Sequence, residues 1–185
     1  MDVRELTSEG ENLMVNYGKL MTGLLQEGKF QTLQNEPKQQ HFHLQHSDAD
    51  FNIQVRFKEA EKYAILVDYI SVARVDQSLT VEEINKYLNN QAETMQKRIT
   101  FLLEEFKLIE QDRQNKRAQL RSYPPHAAEN NKFYYEIVLD EGIKAHFQRY
   151  QFSREGKRYE KILSLLTMET FERLIDELVA ALKID

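Results

Sequence analysis

The chain has no cysteine among its 185 residues, so disulfides, thiolate zinc sites, iron–sulfur clusters and a cysteine nucleophile are all excluded. Glycine is scarce too. Its six copies are scattered singly, too few to build most phosphate cradles. There is no glycine-rich phosphate loop, dinucleotide fingerprint, nucleophile elbow or H-E-x-x-H motif. Wholly apolar runs stop at about five residues, as at 63–67, where a membrane-spanning helix needs ~20. The first ten residues hold Asp2, Glu5 and Glu9 and lack the basic region and apolar stretch of a secretory signal. The expectation is a soluble cytoplasmic protein without membrane contact. With 25 basic against 30 acidic residues, the net charge of −5 disfavours wholesale nucleic-acid binding.

What is present is hydrophobic periodicity. Ser8 and Glu11 form a capping box, and Leu13, Tyr17, Leu20 and Leu24 then recur at helical steps up to Gly28. From residue 30 the period becomes two. Phe42 and Leu44 alternate with polar residues, and Phe51, Ile53, Val55 and Phe57 form the cleanest half-buried strand. Residues 63–75 read as a longer strand, apolar on both faces. The turns between these strands are short, at 35–37, 47–50 and 59–62. Such turns force antiparallel pairing and hence a meander of three or four strands.

A second capping box, Thr80 with Glu83, opens a stretch without glycine or proline until Pro124. Ile84, Leu88, Met95, Ile99, Leu102, Phe106 and Ile109 keep a helical step along it. Carried to Arg121, this helix has about 40 residues and a length of ~60 Å, beyond the reach of a domain this size. Its apolar stripe fades after Ile109, so its last third protrudes, pairs with another chain or bends back at an unmarked break. Arg113 and its basic neighbours complement the helix dipole there. Met95, Ile99, Leu102, Phe106, Ile109 and Arg113 are therefore the candidate partner-binding residues. Self-association into a homodimer through this helix is the leading expectation.

After a loop at 122–132, the period of two returns in Phe133, Tyr135, Ile137 and Leu139. Turns at Glu141-Gly142 and 153–157 close a three-strand meander, and Thr167 caps a final amphipathic helix. The fold class is α+β, with antiparallel sheet or sheets in the order helix, β meander, long helix, β meander, helix. It reads as one domain over 1–185, with a weak two-half organisation at 1–121 and 122–185. This element order resembles that of the small acidic dimeric chaperones of type III secretion, which also interleave helices with short meanders. The resemblance spans most of the chain as order alone, carries no motif, and implies a dimer that binds another protein.

Three constellations bear on chemistry. His41, His43 and His46, followed by Asp48 and Asp50, offer metal ligands; residues 41 and 43 of a strand point the same way, about 6.6 Å apart. The alternative is the solvent face of an amphipathic strand, and it is preferred, so no metal or cofactor is expected. The segment 144–161 holds six basic residues, among them Lys144, Arg149, Arg154 and Arg158, against two acidic ones. Phe147, Tyr150, Phe152 and Tyr159 lie among those charges, as in single-strand nucleic-acid binders. A nucleic-acid binder must set the four cations on one continuous face. Alternation in a strand produces the same string, with aromatics inside and charges outside. Carboxylate pairs such as Glu82-Glu83 suit solvated helix faces, whereas acid–base chemistry would need distant residues such as His146, Tyr150 and Glu136. The reading that results is a non-enzymatic interaction or scaffold module, with a small-molecule or metal-binding enzyme and a single-strand nucleic-acid binder as alternatives.

Overall fold

The computed structural model describes residues 14–33, 40–75 and 78–183. Helix α1 (Tyr17–Gln26) starts at Asn16, whose side chain accepts from the Lys19 N–H; the Ser8–Glu11 capping box lies outside the described residues. Strands β1 (Gln31–Leu33), β2 (His41–Ser47), β3 (Phe51–Ala60) and β4 (Ala64–Arg74) follow as an antiparallel meander. Alternate residues of β3 are buried, from Phe51 to Phe57, as their period of two requires.

Helix α2 (Val81–Arg98) opens with the expected capping box. It ends at Arg98, however, and the expected long helix does not exist. Residues 99–104 form an irregular turn, and β5 (Glu105–Asp112) and β6 (Arg117–Tyr123) make a hairpin. Between them Asp112 accepts from the Asn115 N–H at 3.0 Å, and Lys116 takes a positive φ of 57°. The physical reason for the misreading is exposure. As an edge strand facing solvent along most of its length, β5 carries the helix-favouring Glu, Lys, Leu and Gln of a solvated helix.

Strands β7 (His126–Ala128), β8 (Asn131–Asp140), β9 (Lys144–Ser153), β10 (Arg158–Ile162) and β11 (Ser164–Thr167) precede α3 (Met168–Leu182), which Thr167 caps. All described strands belong to one antiparallel sheet with the path β1-β2-β3-β4-β9-β8-β6-β5; β10 pairs with β9, β11 with β4 and β7 with β8. Each half of the chain is thus a meander running from a sheet edge to the centre, and the two meet where β4 pairs with β9. A division at residue 121 would cut β6.

The helices lie on one face of the sheet and cross over. Helix α2, which follows the first meander, packs on β5, β6 and β8 of the second; α3, which follows the second, packs on α1 and on β4 of the first. Their apolar stripes close a single core containing the fully buried Phe57, Phe147 and Phe171. At the crossing of α1 and α3, Gly18 approaches so closely that a methyl group would press on the Glu172 backbone. No described helix is long and apolar enough to cross a membrane.

Candidate binding face on the open side of the sheet

Among the described residues, the opposite face of the sheet carries no helix. Its side chains follow from register: Lys132, Tyr134, Glu136 and Val138 of β8 stand opposite Phe152, Tyr150, Gln148 and His146 of β9. Arg121 of β6 faces Glu136, and Tyr159 and Lys161 of β10 face Phe152 and Tyr150. Strand β9 changes character midway. Ala145 and Phe147 point into the core, but Tyr150 and Phe152 fall on the open face and Arg149 on the helix side, over the Tyr135 ring at 5.0 Å.

Two polar groups and an aromatic cluster occupy this face. Glu136 is nearly buried and accepts from Gln119 Nε2 at 2.6 Å and Arg121 Nε at 3.0 Å. Asp68 pairs with Arg56 at 3.2 Å and accepts from Gln148 Nε2 at 3.3 Å, while Gln148 Oε1 lies 3.3 Å from His146 Nε2. Tyr134 and Tyr150 stack with ring centroids 5.6 Å apart, and Tyr159 meets Tyr134 edge-on. Phe152 lies 4.7 Å from Tyr159. The Arg121 guanidinium sits 4.8 Å over the Tyr134 ring, and Lys107 sits 4.7 Å over Tyr123, both within cation–π reach.

Burial fixes the protonation states. It holds the His146 pKa below the ordinary histidine value, opposed by the bond to Gln148, so the imidazole is neutral at pH 7. Burial pushes Tyr134 up to about 12 and raises Tyr150, where the Glu136 charge adds to the effect. These phenols keep their protons and act as hydrogen-bond donors. His146, Tyr150 and Glu136 share this face: Glu136 accepts from Arg121 and Gln119, and His146 contacts the Gln148 side-chain amide.

The other residues singled out from the sequence are dispersed. His43 pairs with Arg56 on the open face and His41 shares its side, but His46 points to the helix side and bonds Asp48 at 3.3 Å. No cluster of three or more metal-ligating side chains of the kind histidine, aspartate and glutamate provide occurs among the described residues. Met95, Ile99 and Phe106 are core residues with at most 2 % exposure, and Leu102 packs partly against them. Ile109 lies exposed on the edge strand and Arg113 in the β5–β6 turn. These six therefore form no helical stripe, and the premise of a helix-mediated dimer is withdrawn. Of the four cations, Lys144 and Arg149 take opposite faces, Arg154 lies in a turn, and Arg158 pairs with Glu160 at 2.8 Å.

Sequence reasoning missed Arg121, Tyr134, Lys107 and Lys132 as members of one face. A signal for it exists. In β9 the apolar positions switch from odd to even numbers between Phe147 and Tyr150, which marks where aromatic cover moves to the other side of the sheet. Comparison with known protein families, curated proteins and solved structures gives no match, so the likeness to secretion chaperones extends no further than element order.

Proposed function

We propose that the chain is a non-enzymatic protein-interaction module that presents the helix-free face of its sheet to a partner. One observation carries this reading: an aromatic cluster stands on the uncovered face, although the core on the other side already buries Phe57, Phe147 and Phe171. Tyr159 remains 59 % exposed and Tyr123 52 %, and aromatic rings with polar tips are the residues that anchor interfaces. The sheet edge is a poorer surface for strand addition. Strand β5 bulges at Ile109 and its Leu108 N–H is taken by Gln96 Oε1 at 3.1 Å, two devices that discourage pairing with another chain.

The test is a photoreactive side chain installed at position 159 and, as control, at Lys86 on α2, each exposed to extract of the native cell. The reading expects discrete cross-linked proteins from position 159 and not from position 86. No product at 159, or the same products at both positions, refutes it.

A further inference from the structure

Resting on that reading, we infer that the partner element seated on the open face is an extended acidic segment of a protein, held at the end formed by β5, β6, β8 and β10. The argument is the charge and donor content of that end. Lys107, Arg121, Lys132 and Lys161 project from β5, β6, β8 and β10, with β9 between the last two, onto the same side of the sheet. The turn joining β9 to β10 adds Arg154 and Lys157 beside them, against Glu155. Acidic residues are fewer: Glu136 is held by Arg121, and Glu155 in that turn accepts from Asn130 Nδ2 at 3.5 Å. Glu105, opposite Tyr123, is the remaining carboxylate on that side of the β5–β6 hairpin end.

This end is basic in a chain with a net charge of −5, so it attracts a local anionic group rather than setting the field of the whole molecule. The hydroxyls of Tyr134, Tyr150 and Tyr159 and the ammonium groups of the lysines make it rich in donors, as carboxylates require. Aromatic surface beside the cations accepts apolar side chains between the acidic ones.

Single-stranded nucleic acid has the same charge but asks for different rings. Bases stack on open aromatic faces. Here Tyr134 is stacked on Tyr150 at an interplanar angle of 15° and carries Arg121 above it, so its two faces are occupied within the protein. The overall negative charge further opposes a polyphosphate.

The experiment is fluorescence anisotropy with a labelled 15-residue peptide of Asp and Glu interspersed with Leu and Phe, alongside a labelled 20-nucleotide oligothymidylate, at low salt. The peptide is expected to bind and to weaken about tenfold with the double charge reversal K107E/K161E, a change on the order of 1.4 kcal/mol. Y159S should also weaken it, and K144E, at the far end of the same face, should leave it unchanged. Thermal melts verify that each variant folds, since all four residues are solvent-facing. No peptide binding, binding unaffected by K107E/K161E, or tighter binding of the oligonucleotide overturns the inference. So does a dimer in sedimentation that K107E/K161E dissociates, because the face would then receive a second copy. If position 159 cross-links a partner but the peptide fails to bind, the acidic segment is refuted and the interaction module stands; if neither occurs, both fall.

Discussion

Two glycines of the same helix should respond to the same substitution with opposite sign. Gly18 and Gly23 both lie in α1, where replacing glycine with alanine gains up to ~1 kcal/mol from helix propensity. Around Gly23 nothing lies within 4 Å of the added methyl, so Gly23→Ala should stabilise by about 0.5–1 kcal/mol. At Gly18 the methyl would press on the Glu172 carbonyl oxygen, with the carbonyl carbon at 2.8 Å and Asp176 Oδ2 at 2.9 Å. Those atoms belong to α3, whose backbone cannot swing aside as a side chain does. Overpacking of this kind costs about 1–3 kcal/mol. The shift also stretches the bond in which the Gly18 N–H donates to Asp176 Oδ1 at 2.8 Å, worth another ~1–2 kcal/mol. After the propensity gain, Gly18→Ala should destabilise by about 2–3 kcal/mol. At 2–4 °C per kcal/mol for a chain of this size, its Tm should fall by roughly 5–10 °C while that of Gly23→Ala rises slightly. Urea unfolding followed by circular dichroism gives both free energies. A Gly18→Ala protein as stable as the original, or equal shifts for the two variants, would refute the close approach of α1 and α3.

Ile99→Ala should cost about 2–5 kcal/mol, because Ile99 is fully buried, whereas the exposed Ile109→Ser should change stability by no more than ~0.5 kcal/mol; equal effects in denaturation would restore the single helical stripe that the structure removes. Asp48 is raised by burial but held at about 2 by the Phe51 N–H, the Tyr17 hydroxyl, the Asp50 N–H and His46. A depressed carboxylate stabilises above its unfolded pKa and loses that contribution as pH falls through the folded one. Asp48→Asn should therefore cost about 2 kcal/mol at pH 7, and melts from pH 5 to 2 should show the gap to the original closing; a constant gap argues against the turn. Asp176 behaves in the opposite sense. Burial raises its pKa despite the Gly18 bond, so its ionised form opposes folding as pH rises through the folded value, and Asp176→Asn should melt at the same or a higher temperature at pH 7. Thr80→Ala should remove the capping box of α2 and cost ~1 kcal/mol, read from the urea midpoint.

Much of the architecture is legible in the residues, because burial on one face imposes a period. The alternation of β3, the Thr80 and Thr167 caps and the turn at Glu141-Gly142 all correspond to observed features. The region after Arg98 is not legible in that way. No glycine or proline marks the break at Ile99, and Phe106 falls on the helical step of Met95, Ile99 and Leu102 while being buried from a strand. In the following strand, Ala118, Leu120 and Ser122 do alternate into the core, but alanine and serine carry too little hydrophobic contrast to reveal it. The open face was half visible. The mixture of cations and aromatics in 144–161 is real, yet Arg121 and Tyr134 come from β6 and β8, and only strand register brings them beside Tyr150 and Tyr159.

The crossing of α2 and α3 has a consequence for how the chain is made. A ribosome delivers the first meander complete at residue 74, but the helix that roofs its centre is α3, ending at residue 182. Until then β4 lacks its cover of α3, and α2 waits for strands not yet synthesised. Folding is thus deferred until α3 has been made rather than proceeding half by half, with an aggregation-prone sheet exposed in the interval. A chain stopped before α3 should be insoluble, and one stopped just beyond it should fold in a single step.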